Sequence, residues 1–166
     1  ANKRSISISF RLLRVTNPLA KPGPVFNAMA ANAFQFNPSA SKIFDFSTVA
    51  TGGSTLTDSR GADFIYRVND DTEFRGPWAR QFVSELRKFG PPIWGVVGPS
   101  CSQGNRAILT HDFTHRTHMV IFEGYYYPRE LVDWWMDDFI SRVYGRKRTK
   151  LLKSVEVYHH SKTYGR

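Results

Sequence analysis

The feature that most constrains the fold is an apolar segment, residues 62–68, that ends abruptly in the polar run from Asn69 to Thr72. Its β-branched and aromatic residues predict a strand. A helix is predicted from Pro77, since apolar residues recur there at helical spacing, and residues 90–92 (Gly-Pro-Pro) end it before a second apolar strand at 93–97. This order predicts an α/β fold with parallel pairing, in which ligands bind beyond the carboxyl ends of the strands.

The rest of the chain adds further predicted elements around this unit. They are a strand at 6–10, a helix at 25–34, a long loop or insertion at 37–60, an irregular polar segment at 98–118, a helix from Pro128 to Tyr144 and a strand at 155–158. At 166 residues the chain suits a single domain spanning 1–166.

Composition limits the class of protein. Hydrophobic residues make up 41% and charged residues 22%, which is typical of a globular chain rather than a disordered one. A single cysteine, Cys101, excludes an internal disulfide and a multi-cysteine zinc module. No apolar stretch approaches the roughly 20 residues needed to span a membrane. We therefore expect a soluble chain, cut from a longer one.

Three polar groups follow one another along the sequence. They are Asn69-Asp70-Asp71, the run Trp134-Trp135-Met136-Asp137-Asp138, and His159-His160. In this order they resemble the GT-A-fold glycosyltransferases, in particular the family-two-like members. The segment 22–27 is also similar to the helix start that precedes the acidic motif in that family.

The resemblance implies a Rossmann-like sheet, mixed but mostly parallel, flanked by helices. The family's opening strands, which hold the nucleotide base, would lie ahead of Ala1, so the likeness covers a partial domain of a longer parent chain. It implies transfer of a sugar, with inversion, from a nucleotide-sugar donor to a hydroxyl of a glycan or protein acceptor. In a eukaryote it would place the protein in the lumen of the secretory pathway.

The resemblance also implies a cation site. Asn69, Asp70 and Asp71 stand at the three positions of a D-x-D motif and would bind the donor, although Asn69 replaces the usual first acid. Asp71, with His159 or His160, would hold Mn²⁺ or Mg²⁺, which accept hard oxygen ligands. The alternative is an Asx-rich turn that caps the following helix.

On the acceptor side, the resemblance makes Asp137 or Asp138 the base that takes the proton of the acceptor hydroxyl. The alternative is that Asp138 pairs with Arg142 at i,i+4 while Asp137 is solvated. Trp134 and Trp135 are predicted to stack on sugar rings, with the alternative that at least one belongs to the core.

Three of the five histidines fall within eight residues. We expect His111 and His115 to line the acceptor cleft as hydrogen-bonding groups. Together with His118 they would suit zinc only if the segment were helical, and its composition predicts a loop. The sequence therefore favours polar cleft residues over a zinc site.

Two other functions stay open. The net charge of +9 and the basic stretch at 142–153 would attract nucleic acid, but no recognised nucleic-acid-binding module accompanies them, so that function is disfavoured. A non-catalytic GT-A-like module, structural or carbohydrate-binding, is the alternative that Asn69 and the missing opening strands suggest.

Overall fold

The structure is a computed structural model that describes Val15, Asn17 and residues 20–34 and 62–161. The predicted strand at 6–10 and the predicted loop at 37–60 lie outside the described residues. Within the described part, helices flank a five-stranded mixed sheet. The chain therefore has a mixed α/β fold.

The element bounds are as follows. The strands are β1 (Phe64–Arg67), β2 (Thr72–Phe74), β3 (Val96–Cys101), β4 (Asp112–His115) and β5 (Thr149–His159). The helices are α1 (Pro22–Phe34), α2 (Ala79–Arg87), α3 (Thr117–Ile121), α4 (Met136–Arg142) and α5 (Gly145–Arg148). None of these described helices has the length and apolar character needed to cross a membrane.

The strands lie in the order β1-β4-β3-β5-β2. Only β3 and β5 pair in parallel, and the pairs β1/β4, β3/β4 and β2/β5 are antiparallel. The expectation of a mostly parallel sheet was therefore wrong for the described strands. The reason is that β4 lies between β1 and β3. The two strands of the predicted strand, helix, strand unit, β1 and β3, are therefore not paired with each other.

Sequence patterns located α1, β1, α2 and β5 correctly, although β5 is longer than predicted. They placed β3 three residues too early and missed β4, which lies in the segment predicted to be irregular. The helix predicted from Pro128 begins only at Met136. Trp135 has φ 73°, a left-handed conformation that a continuous right-handed helix does not contain.

The two faces of the sheet are covered by different helices. Neighbouring strand residues point to opposite faces, and accordingly Val96 packs with α1 and α4 while Val97 packs with α2. On the α2 side, Phe82 and Leu86 are completely buried against β3, β4 and β5. Helices thus pack on both faces of the central strands β3 and β4. This packing holds in place the strand ends that carry polar residues.

The burial of Phe82 gives a direct test of this packing. Phe82→Ala removes a ring that is 0% exposed, so the free energy of unfolding should fall by about 3 to 5 kcal/mol. Phe74→Ala is the matched control, because Phe74 is 45% exposed, and should cost about 1 kcal/mol. Denaturant unfolding measures both. Equal losses would contradict the packing of α2 on the sheet.

Candidate functional site

Strand pairing brings together polar residues that are far apart in the sequence. Arg67, the last residue of β1, lies opposite Asp112, the first residue of β4. Thr72 of β2 lies opposite His159, the last residue of β5. The polar run from Asn69 to Asp71 connects β1 to β2. The sheet thus gathers the ends of β1 and β5 and the starts of β2 and β4 around one polar run.

Asp71 and His159 form the centre of the candidate cation site. Nε2 of His159 lies 2.9 Å from Oδ1 of Asp71, and both side chains are largely buried. Nδ2 of Asn69 lies 3.2 Å from the same Nε2 atom. Oδ1 of Asp71 receives no hydrogen bond of regular geometry from any described residue. Among the described residues, the contact of this buried oxygen is therefore the His159 ring.

The two adjacent histidines point to different groups. His159 contacts Asp71 and Asn69, whereas Nε2 of His160 lies 3.1 Å from Oε2 of Glu73. The backbone N–H of His160 donates to the carbonyl of Asp71 at 2.9 Å. The structure thus brings His159 to the site and directs the His160 ring elsewhere. Asp70 is exposed.

Arg67 connects the two predicted halves of the site. Its Nε and Nη2 atoms lie 2.8 and 2.7 Å from Oδ2 of Asp112. Nη2 also donates to Oδ1 of Asp137 at 2.6 Å, and Nη1 donates to Oδ1 of Asn69 at 3.3 Å. One guanidinium therefore joins Asn69 to Asp137, which lies 70 residues after Arg67 in the chain.

Asp112 supports Arg67 from the interior. The hydroxyl groups of Tyr126 and Tyr127 donate to Oδ1 and Oδ2 of Asp112, at 2.5 and 3.2 Å. Burial alone would lower the pKa of Arg67, but the Asp112 carboxylate, Tyr127 and Asp137 raise that pKa well above its usual value. The guanidinium is therefore charged and held by a completely buried carboxylate.

Sequence reasoning missed both Arg67 and Asp112. A signal existed for Arg67, because an arginine within an apolar strand must be paired if it is buried. No signal identified its partner, which lies 45 residues later in a segment predicted to be irregular.

Asp137 and Asp138 have different surroundings. Oδ1 of Asp137 binds Arg67, whereas Oδ2 accepts no hydrogen bond within the described part of the chain, and the side chain is 36% exposed. Burial raises the pKa of Asp137, and the Arg67 charge opposes that shift. Asp138 instead pairs with Arg142 at 2.9 Å. Asp137 thus faces the site, and Asp138 has the surface pairing that its i,i+4 spacing suggested.

Trp134 and Trp135 precede helix α4 and are 80% and 71% exposed. The alternative that one of them belongs to the core is therefore wrong. The left-handed backbone at Trp135 ends the preceding turns just before α4 begins. Two exposed indole rings thus stand directly ahead of Asp137 in the chain.

The clustered histidines separate in space. His111 adjoins the site: its Nε2 lies 2.7 Å from Oγ1 of Thr72, and its ring centroid is 5.6 Å from that of His159. His115 lies at the opposite end of β4, where it bonds to Thr117 at 2.6 Å. The structure therefore does not bring His115 to the site.

His118 bonds to the hydroxyl of Tyr144 and the carbonyl of Tyr126, at 2.6 and 2.7 Å. The three clustered histidines thus have separate partners. In the part of the chain that the structure describes, no group of three or more His, Cys, Asp or Glu side chains is arranged to hold a metal ion. The polar groups that meet at Asp71 are its own carboxylate, the imidazole of His159 and the amide of Asn69.

Comparison with known proteins finds no match to this chain. No protein-family model, no curated protein and no solved structure matches the chain.

The buried histidines predict how stability depends on pH. Burial lowers the pKa of His111, His115 and His118 to about 4, below the value near 6.5 in an unfolded chain. Between pH 6.5 and 4 the unfolded chain binds more protons than the folded one, so the free energy of unfolding should fall as pH falls. Each histidine contributes at most about 1.4 kcal/mol per pH unit, and the raised pKa of Asp137 acts in the opposite direction.

The contribution of one histidine can be isolated with His118→Gln. This variant should reduce the slope of unfolding free energy against pH by up to about 1.4 kcal/mol per unit relative to the unchanged protein. Denaturant unfolding at several pH values gives both slopes. Identical slopes would mean that the pKa of His118 is the same in the folded and unfolded states, which would contradict its lowering by burial.

Proposed function

We propose that the chain is the cation- and acceptor-binding part of an inverting, metal-dependent glycosyltransferase with a GT-A-like fold. Its donor would be a nucleotide sugar, and its acceptor a hydroxyl of a glycan or protein. The observation that carries the proposal is the Arg67 bridge, which joins Asn69 to Asp137 at 3.3 and 2.6 Å while His159 and Asp71 meet beside Asn69. The order of these groups in the sequence supports the same function.

The ligand types near Asp71 fit a divalent cation. Asn69 directs its N–H group to Nε2 of His159, because its oxygen accepts from Arg67. Nε2 then carries a single electron pair, which accepts from Asn69 here and would turn to a cation bound beside Oδ1 of Asp71, 2.9 Å away. Two such atoms repel each other unless a proton or a cation lies between them. Adjacent ligands at about 2.1 Å from one octahedral ion are about 3 Å apart, which agrees with this spacing.

Mn²⁺ suits the site better than Mg²⁺, since imidazole nitrogen is a common ligand of transition metals and Mg²⁺ prefers oxygen. Asp71 and His159 would hold the ion, with Asp70 and Asn69 near the donor. The bound ion would neutralise charge that develops on the departing diphosphate. Because Asn69 replaces an acid, the site carries one negative charge fewer than a full D-x-D motif.

Asp137 is the base in this proposal. Arg67 holds Oδ1, which leaves Oδ2 for an acceptor hydroxyl. Oδ2 takes the proton as the hydroxyl oxygen bonds to the anomeric carbon from the side opposite the leaving diphosphate, so the configuration inverts. The raised pKa of Asp137 makes it a stronger base than a free aspartate. Trp134 and Trp135 offer faces on which an acceptor sugar can stack.

A non-catalytic carbohydrate-binding module is the second candidate. The two exposed indole rings favour it, because stacking on sugars requires no cation and no base. A module of this kind would bind glycans through Trp134 and Trp135 without turning over a nucleotide sugar.

Cation binding is tested with Asp71→Asn. Removing the carboxylate charge should weaken Mn²⁺ binding by more than about tenfold, since even changes outside the ligand set typically cost 10-fold to 100-fold. Titration of Mn²⁺ into the protein, followed by electron paramagnetic resonance, gives the Kd. Glu73→Gln is the control, because Glu73 contacts His160 and not His159. Equal weakening in both variants, or no Mn²⁺ binding by the unchanged protein, would contradict the site.

Catalysis is tested by comparing Asp137→Asn with Asp138→Asn. Loss of the base should lower turnover by at least about 100-fold, whereas loss of the surface pair of Asp138 should change it by less than about threefold. The measurement is Mn²⁺-dependent release of nucleoside diphosphate from a panel of nucleotide sugars. It is made with this chain and with any longer protein that contains it.

The same assay separates the two candidate functions. A protein that shows neither turnover nor Mn²⁺ binding, yet binds glycans in a manner lost in Trp134→Ala, would be the carbohydrate-binding module. A larger effect of Asp138→Asn than of Asp137→Asn would overturn the choice of base.

A further inference from the structure

We propose that Arg67 is a positioning residue for the transfer reaction, fixing the carboxylate of Asp137 relative to Asn69 and the cation ligands. This inference rests on the proposed function. Arg67 would not touch donor or acceptor. It would act through Asp137, holding Oδ1 so that only Oδ2 is presented to the acceptor hydroxyl.

The geometry gives Arg67 two separate sets of contacts. Toward the interior, Nε and Nη2 bind Oδ2 of Asp112 at 2.8 and 2.7 Å, which already pairs the buried positive charge. Toward the surface, Nη2 and Nη1 reach Asp137 and Asn69. The interior set neutralises the buried charge, but the remaining N–H groups of the guanidinium also need acceptors, and here those acceptors are Asn69 and Asp137. The outward contacts reach two side chains that are only part-buried.

The interior set makes the outward contacts rigid. Asp112 is 0% exposed and is held by the hydroxyl groups of both Tyr126 and Tyr127. A guanidinium is planar and its N–H groups have fixed directions, so fixing Nε also fixes Nη1 and Nη2. The orientation of Asp137 is therefore set from the core of the protein before any substrate binds, which is the preorganisation that transfer chemistry requires.

Asp137 also receives direction from its own helix. It lies in the first turn of α4, whose backbone is fixed by burial of Met136 and Ile140. Helix α4 sets the position of its Cα atom, and Arg67 selects the side-chain orientation. Arg67 lies at the end of β1, and Asn69 follows two residues later. The position of Asp137 is therefore fixed relative to the strand that leads into Asn69.

The test is Arg67→Lys, with Arg142→Lys as the matched control on helix α4. Lysine keeps the charge but has one ammonium group in place of the planar fork, so it cannot contact Asp112, Asp137 and Asn69 in the same geometry. We expect kcat to fall about 100-fold, the effect of a displacement near 1 Å at a reacting group. The donor KM should stay within about threefold, because Arg67 would not touch the donor. The control should match the unchanged protein.

Tyr127→Phe provides a variant that is expected to fold, since it removes one hydroxyl and no charge. It loosens Asp112 and should lower kcat in the same direction, by about 3-fold to 10-fold, equivalent to one hydrogen bond. If Arg67→Lys and Tyr127→Phe lower stability but leave kcat unchanged, the Arg67 network is only structural and the proposal is overturned. A rise in KM with constant kcat would overturn it as well.

A second measurement keeps this proposal separate from the proposed function. The side-chain carboxyl carbon of Asp137, assigned by comparison with Asp137→Asn, is followed by NMR. Its resonance should move in Arg67→Lys and Tyr127→Phe but not in Arg142→Lys. Absence of turnover in the unchanged protein would defeat the proposed function, while an unmoved Asp137 resonance would defeat the positioning by Arg67.

Discussion

The buried ion pair between Arg67 and Asp112 is the interaction on which the rest of the site depends. Removing two charges from water costs several kcal/mol per ion, and this cost is offset only when the remaining donors and acceptors are satisfied. Here two tyrosine hydroxyls donate hydrogen bonds to Asp112, and Asn69 and Asp137 accept hydrogen bonds from Arg67. The pair also joins β1 to β4 at their ends, so the same contacts that fix the sheet edge fix the polar run beyond it.

The fold was predictable where one physical signal dominated. Helical spacing of apolar residues and a terminal Gly-Pro-Pro located α2, and alternation located β5. Strand β4 was missed because it begins with Asp112 and ends with His115, both buried through side-chain hydrogen bonds rather than through apolar character. A prediction that identifies buried strands by their apolar residues cannot find such a strand. Without β4, the remaining strands were expected to form a mostly parallel sheet.

Individual residues of the candidate site were predictable from the sequence, but the contacts that join them through Arg67 were not. Residue type and order pointed to Asn69, Asp71, Asp137 and His159. Asn69 and Asp137 contact Arg67, and His159 contacts both Asn69 and Asp71. The link itself was not predictable, because the pairing of a buried charge is decided by residues distant in sequence. His115 fails for a related reason: three residues along an extended strand separate it from Asp112 by about 10 Å. Closeness in sequence is therefore a poor guide to closeness along a strand.

Trp135 combines a strained, left-handed backbone with an exposed aromatic surface. A residue other than glycine in this conformation costs about 1 to 2 kcal/mol, and an indole left 71% exposed gains little from burial in return. Glycine would remove the strain and also the aromatic surface. A tryptophan kept here thus lowers the stability of the free protein, and a stacked partner that covers the ring would recover part of that free energy on binding.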